Sequence, residues 1–260
     1  MYVGIPTQVS CARAWVAAAT ALIDAGDVGF NFVIDVEVPD VHDNTDNAII
    51  TLADRFLKAH DAQPIVSVSN TIFPKALYDG FGCPIFYDEY HRNFDRLGRK
   101  GWGRYFERMT RHQTTDGRTY NPLQTMIDRL RQQENQGRTY SSAYELAVYD
   151  PLQDGRFLRG GPCLSFLSFK VTPEHRLNLT SMYRNHSYVT RCLGNLIGLG
   201  RLQSFVAKEA GLGLGSLTCV STHAELDTGD GWGIRDARRL INEAAEIVSA
   251  SDQPVLAAMR

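Results

Sequence analysis

Between Leu193 and Ala210 the chain reads LGNLIGLGRLQSFVAKEA. Leu193, Leu196, Ile197, Leu199, Leu202, Phe205 and Val206 fall at helical spacing, an apolar face too broad for a helix lying open to water. Gly211 follows and can take the left-handed conformation that stops it. Such a helix must be buried against a sheet, and strand patterns flank it on both sides. Residues 165–171 and 177–183 read as two antiparallel strands, joined through Thr172-Pro173-Glu174-His175-Arg176. Residues 214–221 read as a further strand.

The same reading extends along the chain. Residues 11–25 are Ala-rich and end at Gly26, which predicts a helix. Residues 30–38 (FNFVIDVEV) alternate as a strand does. Asp43-Asn44-Thr45-Asp46 offers caps for a helix through about His60. PIVSV at 64–68 reads as a short strand. Residues 69–92, rich in Pro, Gly and aromatics, read as irregular, with a helix opening around Tyr87 to Tyr90. GWGRYFERMTRH (101–112) mixes aromatic and basic residues, as a packed amphipathic segment with a solvated Arg face would. Asn121-Pro122 opens a helix with Leu123, Met126, Ile127 and Leu130 on one face. A polar loop over 132–140, a strand over 144–149 and a loop over 152–162 follow. An amphipathic helix over 236–249 comes last. Mixed, mostly antiparallel strands with long helices predict an α+β fold in a single domain over 1–260.

Composition removes several function classes. The 260 residues carry a net charge of −2 with no long basic run, so no nucleic-acid partner is expected. No apolar run approaches a membrane span. MYVGIPTQVS lacks the basic and apolar regions of a secretory signal. Cys11, Cys83, Cys163, Cys192 and Cys219 are odd in number and include no C-x-x-C pair. That pattern predicts no zinc or other metal site, no disulfide framework and a reducing cytoplasm.

Three clusters carry chemistry. Cys163 follows Gly160-Gly161-Pro162 at a tight turn entering a strand. A thiol is nucleophilic as the thiolate, which a nearby guanidinium favours; most cysteines in such chains are simply small buried hydrophobes. Arg184 ends the second hairpin strand beside Cys163, where it could hold a phosphate in bidentate fashion or form an ordinary ion pair. Asn195, among the apolar residues opening the long helix, either caps it or pairs with a ligand, since its amide is costly to bury alone. One acceptor and two donors suit the edge of a pyrimidine. His223 and Glu225 share one side of an extended stretch, as a sugar-binding pair or an ordinary polar pair.

In this order and spacing the residues resemble the thymidylate synthase family. The motifs are Ala147-Val148-Tyr149-Asp150-Pro151, Pro162-Cys163, Tyr183-Arg184-Asn185, an Asn195 eleven residues past that arginine, the long helix, and His223-Ala224-Glu225. Tyr105, in GWGRYFER, resembles the family's active-site tyrosine. The resemblance covers about 101–227 and leaves 1–100 divergent. It implies a large mixed, mostly antiparallel sheet packed by long helices and a homodimer formed through sheet faces. It also implies that Cys163 adds to C6 of a pyrimidine nucleoside monophosphate, and that C5 takes a one-carbon unit from methylenetetrahydrofolate. By the same resemblance Arg184 holds phosphate, Asn195 reads the base, and His223 with Glu225 reads the sugar. Asn185 and Ser187 complete that substrate-binding set.

The departures point to a specialised relative. Leu164 stands where the family has His, Ser187 where it has Asp, and Glu225 where it has Tyr. Ser142 and Ala143 fall where the paired phosphate arginines belong, leaving Arg138 or Arg131 as substitutes. Glu107 or Glu89 would replace the proton-handling glutamate, and the folate-site residues are not identified. A carboxylate at 225 suits the cis-diol of a ribonucleotide. The expectation is therefore 5-hydroxymethylation of CMP or dCMP. Methylation of dUMP is the alternative, and a catalytically inactive nucleotide-binding relative is a third reading.

Overall fold

The computed structural model describes residues 2–98, 101–114, 116–156 and 160–252. The first half contains β1 (Val3–Gly4), α1 (Cys11–Asp24), β2 (Val28–Val36), α2 (Asn44–Ala59), α3 (Ile65–Asn70), α4 (Lys75–Phe81), α5 (Ile85–Leu97) and α6 (Tyr105–Thr110). A small hairpin of β3 (His112–Gln113) and β4 (Thr119–Tyr120) leads to α7 (Pro122–Asn135), β5 (Glu145–Ala147) and α8 (Pro151–Asp154). Then come β6 (Leu164–Val171), β7 (Arg176–Tyr183), β8 (His186–Ser187) and a π-helical turn, Tyr188–Cys192. α9 (Leu193–Ala210), β9 (Gly213–Glu225) and α10 (Ile234–Asp252) complete the described chain.

Among the described residues the main sheet has seven strands in the order β1-β2-β9-β7-β6-β5, with β8 also on β9. β9 runs antiparallel to β2 and parallel to β7. α9 supplies the crossover that a parallel β7–β9 pair requires. β5, β6 and β7 pair antiparallel. The fold is the expected α+β architecture, a mixed, mostly antiparallel sheet packed by helices. Side chains alternate across β9, with Leu217, Cys219 and Ser221 buried between partly exposed neighbours.

α9 is buried almost all round. Glycine makes this possible at two contacts with α3. A Cβ at Gly194 would lie 2.6 Å from Val68 Cβ, and one at Gly198 2.8 Å from the Ser69 carbonyl oxygen. Gln203, also buried, donates from Nε2 to the Leu177 and Gly215 carbonyls at 2.7 and 3.0 Å, satisfying backbone at the start of β7 and β9.

Two expectations are corrected. Residues 64–68 do not form a strand: Ile65 opens α3. Its β-branched run favours strand, but Asp54 Oδ1 accepts the Ile65 N–H at 2.7 Å, and Ile65, Val68 and Ile72 recur at helical spacing. Packing against α9 overrides propensity. Residues 69–92 are not irregular either: α4 follows Pro74, and the helix expected around Tyr87 to Tyr90 is part of α5, which opens earlier, after Pro84. Phe73, Phe86, Phe106 and Phe205 form an aromatic cluster there, with Phe73 stacked on Phe205 at 5.0 Å. No described helix is long and apolar enough to cross a membrane.

Candidate active site

Cys163 stands immediately before β6, and Arg184 immediately after β7. The antiparallel register brings these two ends together. Arg184 N–H donates to the Cys163 carbonyl at 2.9 Å, and its Nε to the Pro162 carbonyl at 2.9 Å. The guanidinium lies over the Tyr149 ring, 5.4 Å from its centroid. Burial pushes the Cys163 thiol above its ordinary range. Arg184 opposes that push, Glu225 adds to it, and Arg191 opposes it more weakly. The thiol is thus mainly protonated at neutral pH, with a cation placed to favour the thiolate.

Tyr105 supports the turn from below. Its hydroxyl oxygen accepts from the N–H groups of Cys163 and Leu164 at 3.2 and 3.3 Å. Burial, then the neighbouring Cys163, pushes this phenol up to about 12, so it remains a neutral partner. Arg108 fixes the helix that carries Tyr105. It makes a bidentate pair with Asp154 at 2.6 and 2.7 Å and donates to the Trp102 and Val148 carbonyls. α6 is thereby tied to the segment bearing Tyr149.

A polar cluster lies across the β8–β9 pair. Ser187 faces Glu225 in the register. Glu225 Oε1 accepts from Ser187 Oγ at 3.2 Å and from Asn185 Nδ2 at 3.1 Å. Asn185 Oδ1 in turn meets His223 Nδ1. No described group donates to Glu225 Oε2. The Phe30 ring meets His223 edge-on at 5.4 Å.

Asn195 lies in the first turn of α9, 4% exposed. Its Nδ2 is 3.1 Å from His186 Nε2, and no described group donates to its Oδ1. The turn before it is pinned twice: Trp15 Nε1 donates to the Tyr188 carbonyl at 2.6 Å, and Asp227 accepts from Val189 N–H at 2.7 Å.

The structure thus gathers Cys163, Tyr105 and Arg184, and separately Asn185, Ser187, His223 and Glu225. Glu107 and Arg138 are not brought to the thiol. Glu107 sits two residues from Tyr105 on α6, about 200° around the helix, and lies 3.7 Å from Arg111. Arg138 is exposed on the loop beyond α7. Tyr149, Arg191 and His186 are additions. Tyr149 was visible as the aromatic before Asp150-Pro151. His186 closes the Tyr183-Arg184-Asn185-His186 run but has no role of its own, and Arg191 carries no signal, until the fold places their partners.

A family model described as thymidylate synthase matches residues 82–228. The chain belongs to the thymidylate synthase family. The match begins upstream of the motif region and takes in all of α5. Among curated proteins, "Putative thymidylate synthase" of Methanocaldococcus jannaschii is 27% identical over 126 residues, 47% of this chain and 55% of that protein. "Thymidylate synthase" of Zymomonas mobilis is 30% identical over 122 residues, 45% of this chain and 39% of that protein. The chain therefore spans about half or less of these family members. Every motif from Tyr105 to Glu225 falls inside the matched region.

Proposed function

We propose that this protein transfers a one-carbon unit from methylenetetrahydrofolate to C5 of a pyrimidine nucleoside monophosphate, and that the product is the 5-hydroxymethyl nucleotide of CMP or dCMP. The observation that carries the reading is the meeting of Cys163 and Arg184 at the open ends of β6 and β7. The Cys163 thiolate adds to C6, which makes C5 nucleophilic toward the one-carbon unit. C5 loses its proton and tetrahydrofolate departs, leaving an exocyclic methylene. Water adds to that methylene and the thiolate leaves. Substrate, methylenetetrahydrofolate and water thus balance against hydroxymethyl nucleotide and tetrahydrofolate.

Arg184 binds the phosphate and supports the thiolate. Asn195 reads the base. Glu225 Oε2 and His223 Nε2 take sugar hydroxyls, and a carboxylate there accepts from a cis-diol where a phenol would offer one bond. Two copies pair through the outer sheet face. An apolar row crosses it from Phe166 to Met182, Val220 and Val33, each opposite the next in the register. Phe166 and Met182 are 36% and 41% exposed, more than a finished surface usually leaves side by side.

Methylation of dUMP is the second reading, favoured by the names of the relatives. Incubation with methylenetetrahydrofolate and CMP, dCMP, UMP or dUMP, followed by mass spectrometry, decides between them. The expected product gains CH2O without dihydrofolate. A gain of CH2 with dihydrofolate makes the protein a synthase, and a strong preference for deoxynucleotides removes the role given to Glu225. No product and no release of tritium from C5-labelled nucleotides would overturn both readings. Cys163→Ala should abolish turnover.

A further inference from the structure

Asn195 ends a chain of four side chains that runs beneath the sheet. Its Nδ2 lies 3.1 Å from His186 Nε2, and His186 Nδ1 lies 2.9 Å from Ser221 Oγ. Ser221 Oγ lies 3.3 Å from the Tyr188 hydroxyl. His186, Ser221 and Tyr188 are fully buried or nearly so. The imidazole stacks on Tyr183 at 4.1 Å and 5°, with Tyr188 edge-on at 5.5 Å, so the ring cannot turn over in place. No charged group bonds to it, and burial drives its pKa down to about 3. It is therefore neutral and carries one N–H.

A neutral imidazole between two partners donates to one and accepts from the other. The chain thus has two proton arrangements. In the one the structure holds, Asn195 Nδ2–H donates to Nε2, and Nδ1–H donates to Ser221 Oγ. In the other, Ser221 O–H donates to Nδ1, Nε2–H donates to the amide oxygen, and the amide is turned over. Either way one edge of the amide is left without a partner among the described residues, with one acceptor and one donor side by side. Only their order differs. Uracil shows a donor at N3 beside an acceptor at position 4; cytosine shows an acceptor at N3 beside a donor at position 4. Each order of the amide matches one base and opposes the other. A site built to hydrogen-bond one base leaves buried groups unpaired with the other, a strong rejection.

We propose that His186, held by Ser221, is the positioning residue that fixes the orientation of the Asn195 amide and so decides between cytosine and uracil. The inference rests on the reading that Asn195 meets the base. It assigns nothing to Cys163 or Arg184, which act whichever base is bound.

The test uses Ser221→Ala, which deletes the group holding the Nδ1–H tautomer. Tyr188→Phe is the second variant: it removes the acceptor for Ser221 O–H and so turns that proton toward Nδ1. Nitrogen-15 spectra of histidine-labelled protein should show His186 as the Nδ1–H tautomer in the unmodified protein, and as Nε2–H or a mixture in either variant. The ratio of CMP to UMP affinity should shift at least tenfold toward the base the unmodified protein disfavours. Affinity for ribose 5-phosphate, which has no base, should stay within about twofold. A changed tautomer with an unchanged ratio overturns the inference, as does a histidine that is Nε2–H or charged in the unmodified protein. Equal affinity of the unmodified protein for CMP and UMP overturns it as well. Binding of neither nucleotide by the unmodified protein overturns the proposed function and this inference together. That failure is distinct because it appears before any substitution.

Discussion

Cys163 sits in a contest between burial and charge. Burial raises its pKa, Arg184 lowers it, and Glu225 raises it again. The rate of alkylation by iodoacetamide should therefore rise with pH, with a midpoint above that of an ordinary thiol. Arg184→Gln removes the largest lowering contribution and should move the midpoint higher still. Glu225→Gln removes a raising one and should move it lower. An unchanged midpoint in both variants would show that neither group faces the thiol. With Arg184 in its proposed phosphate-binding role, added phosphate should slow alkylation at a fixed pH. The meeting of Cys163 with Arg184 was legible because Pro162 marks the turn and Arg184 ends the paired hairpin strand. His186 was not legible. One histidine in a run of polar residues means little until the fold sets Ser221 on one nitrogen and Asn195 on the other.

α9 and α3 show the same division among elements. The apolar periodicity of α9 is strong enough to give its boundaries directly. α3 is short and β-branched, and its helical state comes from Asp54 and from contact with the glycines of α9, neither of which is local. Gly194 and Gly198 therefore mark where two helices touch rather than where one is weak. Alanine in place of glycine inside a helix gains about 1 kcal/mol of propensity. At Gly194 a Cβ would meet Val68 at 2.6 and 2.7 Å, and such overpacking costs about 1–3 kcal/mol. Steric cost should win, so Gly194→Ala should lower the urea midpoint. A raised midpoint would mean that α3 moves aside freely. α4 and the first turn of α5 were hidden for a related reason: Pro74 and Pro84 look like breakers in sequence and act as helix starts in the fold.

At the scale of the molecule, the apolar row across the sheet leaves Phe166 and Met182 exposed side by side. The row lies across the strands, so a second copy meeting it face to face would bury the same residues from both sides, as a two-fold interface requires. Replacing Met182 with Glu should convert a dimer to a monomer in analytical ultracentrifugation while leaving the fold intact by circular dichroism. A monomeric unmodified protein would remove the dimer from the proposal. The sheet has a second consequence, carried by the β6–β7 hairpin. Cys163 and Arg184 lie at its open end, and the turn through Glu174 lies at the far end, about 25 Å away for strands of this length. The hairpin works as a caliper: pairing along its length sets the gap at one tip, whatever closes the other. The closed tip is thus the place where this gene can be lengthened, cut or permuted without re-measuring the site. A one-residue slip in pairing would separate Cys163 from Arg184 with every residue still present.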